Sequence, residues 1–279
     1  MTVQVVCVHW GTKYSDRYAN SIYRAVRAKC SEDVRFVCIT EHAEHDLDPG
    51  ILVRSFPDFG VPLDDVKRGC LAKLGMFFEG VLEPGLATVY IDLDTMVRGD
   101  IAMLANRVRA QRGIYLMPSH WVPTWRIAAV AKRVAPRFYY HGNSSILAFF
   151  PEDFHYLGEL FKQKLRSGEA YYRKAMLVDD RFISCFAWER LRIFSARDVV
   201  KFAAEYGSPL PVVESIRKRL PWVTSRREHL IAVTFPGTDI KPEQIAGFQS
   251  GQRIRIKNRR LVWEFEEYSR YWREVCAGG

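Results

Sequence analysis

The sequence predicts an α/β fold with one mostly parallel central sheet. Two observations carry that expectation. Short apolar runs bounded by turn residues recur at Val3–Val8, Val34–Ile39 and Thr88–Leu93, as buried strands require. Between the first two lies a stretch with Tyr18, Ile22 and Val26 on one helical face. Strand, helix, strand is the opening of a nucleotide-binding α/β unit. The chain has 279 residues, 48% of them hydrophobic and 26% charged. That is enough for a sizeable core and excludes a disordered chain.

The first run, Val3–Val8, enters the loop His9-Trp10-Gly11-Thr12-Lys13-Tyr14. Ser15 is placed to cap a helix reaching Lys29. After Val34–Ile39, a connection rich in Pro, Asp and Gly runs from Ser55 to Asp65. A helix carrying Leu71, Leu74 and Phe78 comes next, followed by the turn Pro84-Gly85 and the strand Thr88–Leu93. Gly113–Met117 and Ser144–Phe150 read as further strands. Pro151 opens a helix with Phe154, Leu157, Leu160, Phe161 and Leu165 at helical spacing. Asp179–Leu191 reads as another helix and His229–Phe235 as the last apolar strand. Beyond Gly251 the pattern changes. Arg253 to Arg260 alternates basic and aliphatic residues, then Leu261, Phe265, Tyr268 and Trp272 recur near a helical period. The expected organisation is a catalytic domain over residues 1–250, with a basic strand or hairpin and an amphipathic helix over 251–279 packed on it.

The formal net charge of +9 favours anionic partners such as nucleotides, phosphates or an anionic leaflet. Six cysteines at 7, 30, 38, 70, 185 and 276 have neither zinc-knuckle nor redox-pair spacing, so free thiols in a reducing compartment are expected. No run approaches the ~18 apolar residues of a membrane span, and the start into Val3–Val8 reads as a first strand, so no cleavable leader is expected. The expectation is a cytoplasmic protein whose membrane contact, if any, is peripheral at the inner face. No nucleic-acid motif is present, and nucleic acid is not an expected partner.

Val89-Tyr90-Ile91-Asp92-Leu93-Asp94 is the most informative segment. On a strand, Asp92 and Asp94 share a side. Two carboxylates at a strand's carboxyl end repel unless a cation or donors neutralise them. Such oxygen ligands suit Mn²⁺ or Mg²⁺, with substrate phosphates completing the shell. The same pattern also arises as a plain Asp-rich turn. Elsewhere, Trp10 can stack on a base or cover the core edge, and Lys73 can meet a ligand or snorkel. Asn143, Ser144 and Ser145 suit either a turn or sugar hydroxyls. Asp179 and Asp180 suit a helix N-terminus whatever else they do.

In order along residues 3–242, these segments resemble the bacterial nucleotide-sugar glycosyltransferases of the GT-A type related to the glycogenin and galactosyltransferase-like, family 8-like, group. The resemblance is carried by Val8–Tyr14, Arg35–Glu41, Lys73–Phe77, Asp92-Leu93-Asp94-Thr95, Asn143–Phe149, Asp179–Phe182, and Gly237 with Lys241-Pro242. It implies a GT-A-like fold, a metal at Asp92 and Asp94, and donor contacts from Trp10, Gly11, Thr12, Lys13, Tyr14 and Lys73. It further implies diphosphate contacts from Gly237 and Lys241, and sugar contacts from Asn143, Ser144, Ser145, Asp179 and Asp180. A UDP-sugar donor, a glycan or glycolipid acceptor and retention of configuration are also implied. The sequence departs from the family pattern at four places, one of them an extra residue between Gly237 and Lys241-Pro242. Pro236 stands where a metal-ligating histidine is usual, Asp180 replaces a glutamine, and Cys70-Leu71 precede Lys73 where aromatics are usual. Two competing readings follow: a haloacid-dehalogenase-like phosphatase, and a non-catalytic relative that binds nucleotide or glycan. Against the phosphatase, Met96 stands where a threonine is needed.

Overall fold

The structure, a computed structural model, describes residues 1–118, 142–167, 175–207, 216–217, 219–235, 240–256 and 259–277. Strand β1 (Thr2–His9), helix α1 (Asp16–Lys29) and strand β2 (Asp33–Thr40) form the expected opening unit. Its registration is parallel over eight residue pairs, from Thr2 opposite Asp33 to His9 opposite Thr40. Ser15 occupies the N-cap with extended backbone, and Tyr18, Ile22 and Val26 are buried beneath the helix.

The remaining strands are β3 (Ile51–Arg54), β4 (Thr88–Ile91), β5 (Thr95–Val97), β6 (Ile114–Pro118), β7 (Gly142–Phe149), β8 (Leu191–Ile193), β9 (Val199–Lys201), β10 (Ala232–Thr234), β11 (Arg253–Ile256) and β12 (Arg259–Val262). The main sheet has the order β3-β2-β1-β4-β7-β6-β8. It is mixed: β7 runs antiparallel to both β4 and β6, and every other pairing is parallel. The expectation of a mostly parallel sheet is corrected to that extent. A buried apolar run reads alike in either direction, so strand sense was hidden in Asn143–Phe149. Both faces are covered. Val3, Val5 and Cys7 point into one core cluster, Val6 and Val8 into the other, following the two-residue alternation of a strand.

Four expectations are corrected here. The helix carrying Leu71 and Leu74 is a 3-10 segment, Arg68–Phe77, broken by left-handed Gly69 and Cys70. The helix opening at Pro151 is a 3-10 turn, Pro151–Asp153, and then an α-helix, Tyr156–Arg166. The helix beginning at Asp179 stops at Phe186, because Leu191–Ile193 is taken up as a parallel edge strand beside β6. The run ending at Phe235 contributes only β10, which leaves the main sheet to pair antiparallel with β5 and parallel with β9.

At the C-terminal end, β11 and β12 form an antiparallel hairpin and Glu266–Ala277 a helix. Trp263, Tyr268 and Trp272 are buried in the same cluster as Val5 and Tyr18. Full burial of an aromatic of this size stabilises by roughly 1.5–3 kcal/mol, so this segment completes the core. All six cysteines are free thiols. Among the described residues no helix is long and apolar enough to cross a membrane.

Candidate active site

Strand β4 ends at Ile91, and the acids lie immediately beyond it. The backbone N–H of Asp92 still donates to the Ser145 carbonyl at 2.9 Å, and the Asp94 carbonyl accepts from the Phe235 N–H at 2.8 Å. The two acids are therefore pinned between β7 and the end of β10. Off the strand, they face different partners. Asp92 Oδ1 accepts from Tyr90 Oη at 2.5 Å and pairs with Lys73 Nζ at 2.7 Å. Asp94 Oδ2 accepts from Tyr14 Oη at 2.8 Å.

Lys73 is the centre of the cluster. Only 6% of it is exposed, and its Nζ lies 3.5 Å from Asp179 Oδ2 as well as 2.7 Å from Asp92. Burial alone would lower its pKa, yet the carboxylates of Asp179 and Asp92 hold it well above the ordinary lysine value. It is a permanent cation, and the snorkelling alternative is ruled out by its burial. Asp179 also accepts from Ser144 Oγ at 2.5 Å. Burial pushes the Asp179 carboxyl up to about 6, with Lys73 pulling down and Asp180 pushing up. Asp180 Oδ2 accepts weakly from Asn143 Nδ2 at 3.4 Å, and Asn143 Oδ1 accepts from the Ser145 N–H at 3.1 Å. Burial, then the charge of Asp92, raises Asp94 to about 6.

The loop after β1 forms the rim. Trp10 is half-buried against the core, the core-edge role. Gly11 adopts φ 63. Its N–H donates to Glu41 Oε1 at 2.8 Å, and its carbonyl meets His42 Nε2 at 3.0 Å. Thr12 and Lys13 are exposed, and Lys13 Nζ lies 4.5 Å from the Tyr14 ring centre. Buried His9 braces the loop from below, with Nε2 2.7 Å from the Tyr14 carbonyl and Nδ1 3.1 Å from Asp16 Oδ1.

Lys241 is exposed and precedes the short helix Pro242–Ala246. Among the described residues that helix is tied to the site through a relay: Tyr18 Oη donates to Glu243 Oε1 at 2.6 Å, and the Tyr18 ring packs 4.8 Å from that of Tyr14. Gly237, like Pro236, lies outside the described residues. The structure thus brings together Tyr14, Lys73, Asp92, Asp94, Asn143, Ser144, Asp179 and Asp180. Tyr90 and His9 join them unforeseen. Tyr90 was findable, because it precedes Asp92 by two residues and so shares its side of the strand.

Among the described residues no group of three or more His, Cys, Asp or Glu side chains is arranged to hold a metal ion. The hard oxygens on offer are those of Asp92 and Asp94.

No family model matches this sequence, and no curated protein does. Solved structures do match in fold. The galactosyltransferase LgtC, in complex with donor and acceptor sugar analogues, superposes with a TM-score of 0.61 at 13% identity, over 98% of this chain and 96% of its own. The glycosyltransferase GlyE of Streptococcus pneumoniae TIGR4 gives 0.56 at 11% identity, over 99% of this chain and 62% of its own. The bifunctional WbbM gives 0.54 at 13% identity, over 86% of this chain and 46% of its own. The chain has a GT-A-like glycosyltransferase fold. At these identities the likeness is one of fold. Within that GT-A-like fold, the acid pair lies beyond the carboxyl end of a central strand, where α/β sheets bind ligands.

Proposed function

We propose that this chain is a glycosyltransferase of the family 8-like group that moves a hexose-type sugar from a nucleoside diphosphate, favoured as UDP by the resemblance, to a hydroxyl of a glycan or glycolipid. One observation carries the reading: a buried ammonium, Lys73, held between Asp92 and Asp179 at a strand end. A fixed positive charge there is preorganised to meet the negative charge that develops as a nucleoside diphosphate departs. Around it, Asp179, Asp180, Asn143 and Ser144 offer the acceptors and donors that sugar hydroxyls require. Tyr14 closes the site on the rim, and its hydroxyl keeps Asp94 oriented.

The donor set fits a divalent cation. Asp92 and Asp179 already share the one buried ammonium, and Asp94 is held up at about 6 by burial and its neighbour's charge. A cation would relieve that repulsion. Asp92 and Asp94 would hold Mn²⁺ or Mg²⁺, which supplies Lewis-acid stabilisation of the diphosphate. On this reading Lys241 and Gly237 meet the diphosphate, and Trp10, Gly11, Thr12, Lys13 and Ser145 flank the donor. The catalytic domain spans residues 1–250, and 251–279 is its extension.

The same reading places the protein in the cytoplasm, at an anionic membrane face. The hairpin supports it: Arg253, Arg255 and Arg260 are exposed while Ile254, Ile256 and Leu261 are buried. Arg255 stands directly opposite Arg260, which gathers positive charge on the exposed face of the hairpin. A thermal-shift panel of nucleoside diphosphates and their sugars, with and without Mn²⁺, tests the donor site. A ligand at 100 times its Kd stabilises by about 2.7 kcal/mol. Failure of every nucleotide to raise Tm contradicts the reading.

A further inference from the structure

Lys73 owes its position to a corner four residues earlier. Gly69 and Cys70 are consecutive left-handed residues, at φ 61, ψ 19 and φ 63, ψ 22. A glycine adopts this conformation freely, whereas other L-residues bear a penalty of order 1 kcal/mol. Two in succession kink the chain between Leu63–Val66 and the 3-10 turns that carry Lys73.

The corner also rests on a second segment. A Cβ built on Gly69 would lie 1.9 Å from the Leu177 carbonyl oxygen, 2.9 Å from its carbon and 3.4 Å from Val178 Cα. No real Cβ approaches a backbone oxygen so closely, and a carbonyl cannot rotate away as a side chain can. Asp179 follows Leu177 by two residues. The segments Arg68–Phe77 and Ala175–Phe186 are therefore joined twice: backbone on backbone at Gly69 and Leu177, and ammonium on carboxylate at Lys73 and Asp179.

We infer that Gly69 is a positioning residue whose bare Cα sets the separation between Lys73 and Asp179. The inference rests on the proposed donor-sugar site and goes beyond it. An added methyl forces Ala175–Leu177 outward and carries Asp179 with it. The 2.7 Å pair with Asp92 is made by a different segment, beyond β4, and does not depend on this contact. The lesion is confined to the side facing the sugar.

The test compares donor turnover and nucleoside diphosphate binding in the wild type, Gly69→Ala, Asp179→Glu and the double variant. Gly69→Asn serves alongside, because asparagine tolerates the left-handed region and so isolates the clash from the strain. The expected result is a loss of at least tenfold in kcat/KM for the sugar donor in both Gly69 variants, with Kd for the bare nucleoside diphosphate within twofold of wild type. The longer glutamate restores reach, so Asp179→Glu lowers turnover alone but raises it at least threefold in the Gly69→Ala background. Wild-type turnover in Gly69→Ala, or losses that simply multiply in the double variant, overturns the inference. Alkylation of the exposed Cys70 by iodoacetamide, followed by mass spectrometry, reads the corner without any donor. A threefold change in rate in Gly69→Ala supports displacement, and an unchanged rate overturns it. That readout stands even if no donor is consumed by the wild type, a result that counts against the proposed function alone.

Discussion

The Lys73 ammonium lies 2.7 Å from the Asp92 carboxylate, with only 7% and 17% of the two side chains exposed. A pair so withdrawn from water gains little net stability, because desolvation offsets the Coulombic attraction, but removing one member is costly. Lys73→Met leaves Asp92 and Asp179 facing each other across an apolar chain. It is expected to destabilise the fold by about 3–5 kcal/mol and to abolish sugar transfer. Urea unfolding with two probes measures the first, and a donor-consumption assay the second. A variant that unfolds at the wild-type midpoint would show Lys73 to be incidental.

Asp94 makes the opposite prediction for stability. Its folded-state pKa of about 6 lies above the ordinary 3.8 because of burial and Asp92. Protonation is therefore favoured by folding. The stabilisation is fully present below pH 3.8 and is lost as pH rises through 6. Asp94→Asn cannot ionise and can still accept from Tyr14. In EDTA it is expected to be more stable than wild type at pH 8, by up to about 3 kcal/mol, with the gain vanishing towards pH 4. It is also expected to lose metal-dependent nucleotide binding. Equal stability of the two proteins at pH 8 would contradict this electrostatic picture.

Ser144 tunes Asp179. Its hydroxyl donation at 2.5 Å favours the ionised carboxylate and holds the pKa below what burial alone would give. Ser144→Ala is therefore expected to move the acidic limb of the pH–rate profile upward while leaving the plateau rate less affected. A profile that keeps its acidic limb in place would show that Asp179 does not govern it.

Much of this architecture was legible in the residues themselves. The alternation of Val3, Val5 and Cys7 against Val6 and Val8, and the helical stripe Tyr18, Ile22, Val26, encode the opening unit directly. The hairpin and the C-terminal helix were equally plain from Arg253–Arg260 and Tyr268–Trp272. Strand sense was not, since β7 pairs antiparallel only through long-range contacts with β4 and β6. The short edge strands Ile51–Arg54 and Leu191–Ile193 depend on a neighbour's free edge, which local sequence does not reveal. In the candidate site, Asp92 and Asp94 stood out by their strand-end position. Lys73 was reached only through the family resemblance: its spacing in a 3-10 segment obeys neither strand nor α-helix periodicity, and only the carboxylates brought to it by Asp92 and Asp179 explain its burial.

The basic hairpin offers an outcome on vesicles. Each Lys or Arg near an anionic surface contributes roughly 1 kcal/mol. Arg253, Arg255 and Arg260 together are expected to give sedimentation with anionic but not neutral vesicles, lost at high salt and in the triple Gln variant. If low-salt anionic vesicles leave the protein in solution, these arginines instead guard an exposed strand edge.

The most direct measurement is consumption of nucleoside-diphosphate sugars by the purified chain with Mn²⁺, followed by chromatography of the released nucleotide. The account predicts that at least one donor yields its nucleoside diphosphate, that EDTA and Asp94→Asn suppress the release, and that p-nitrophenyl phosphate is untouched. Absence of release from every donor, together with phosphate release from p-nitrophenyl phosphate, would contradict it.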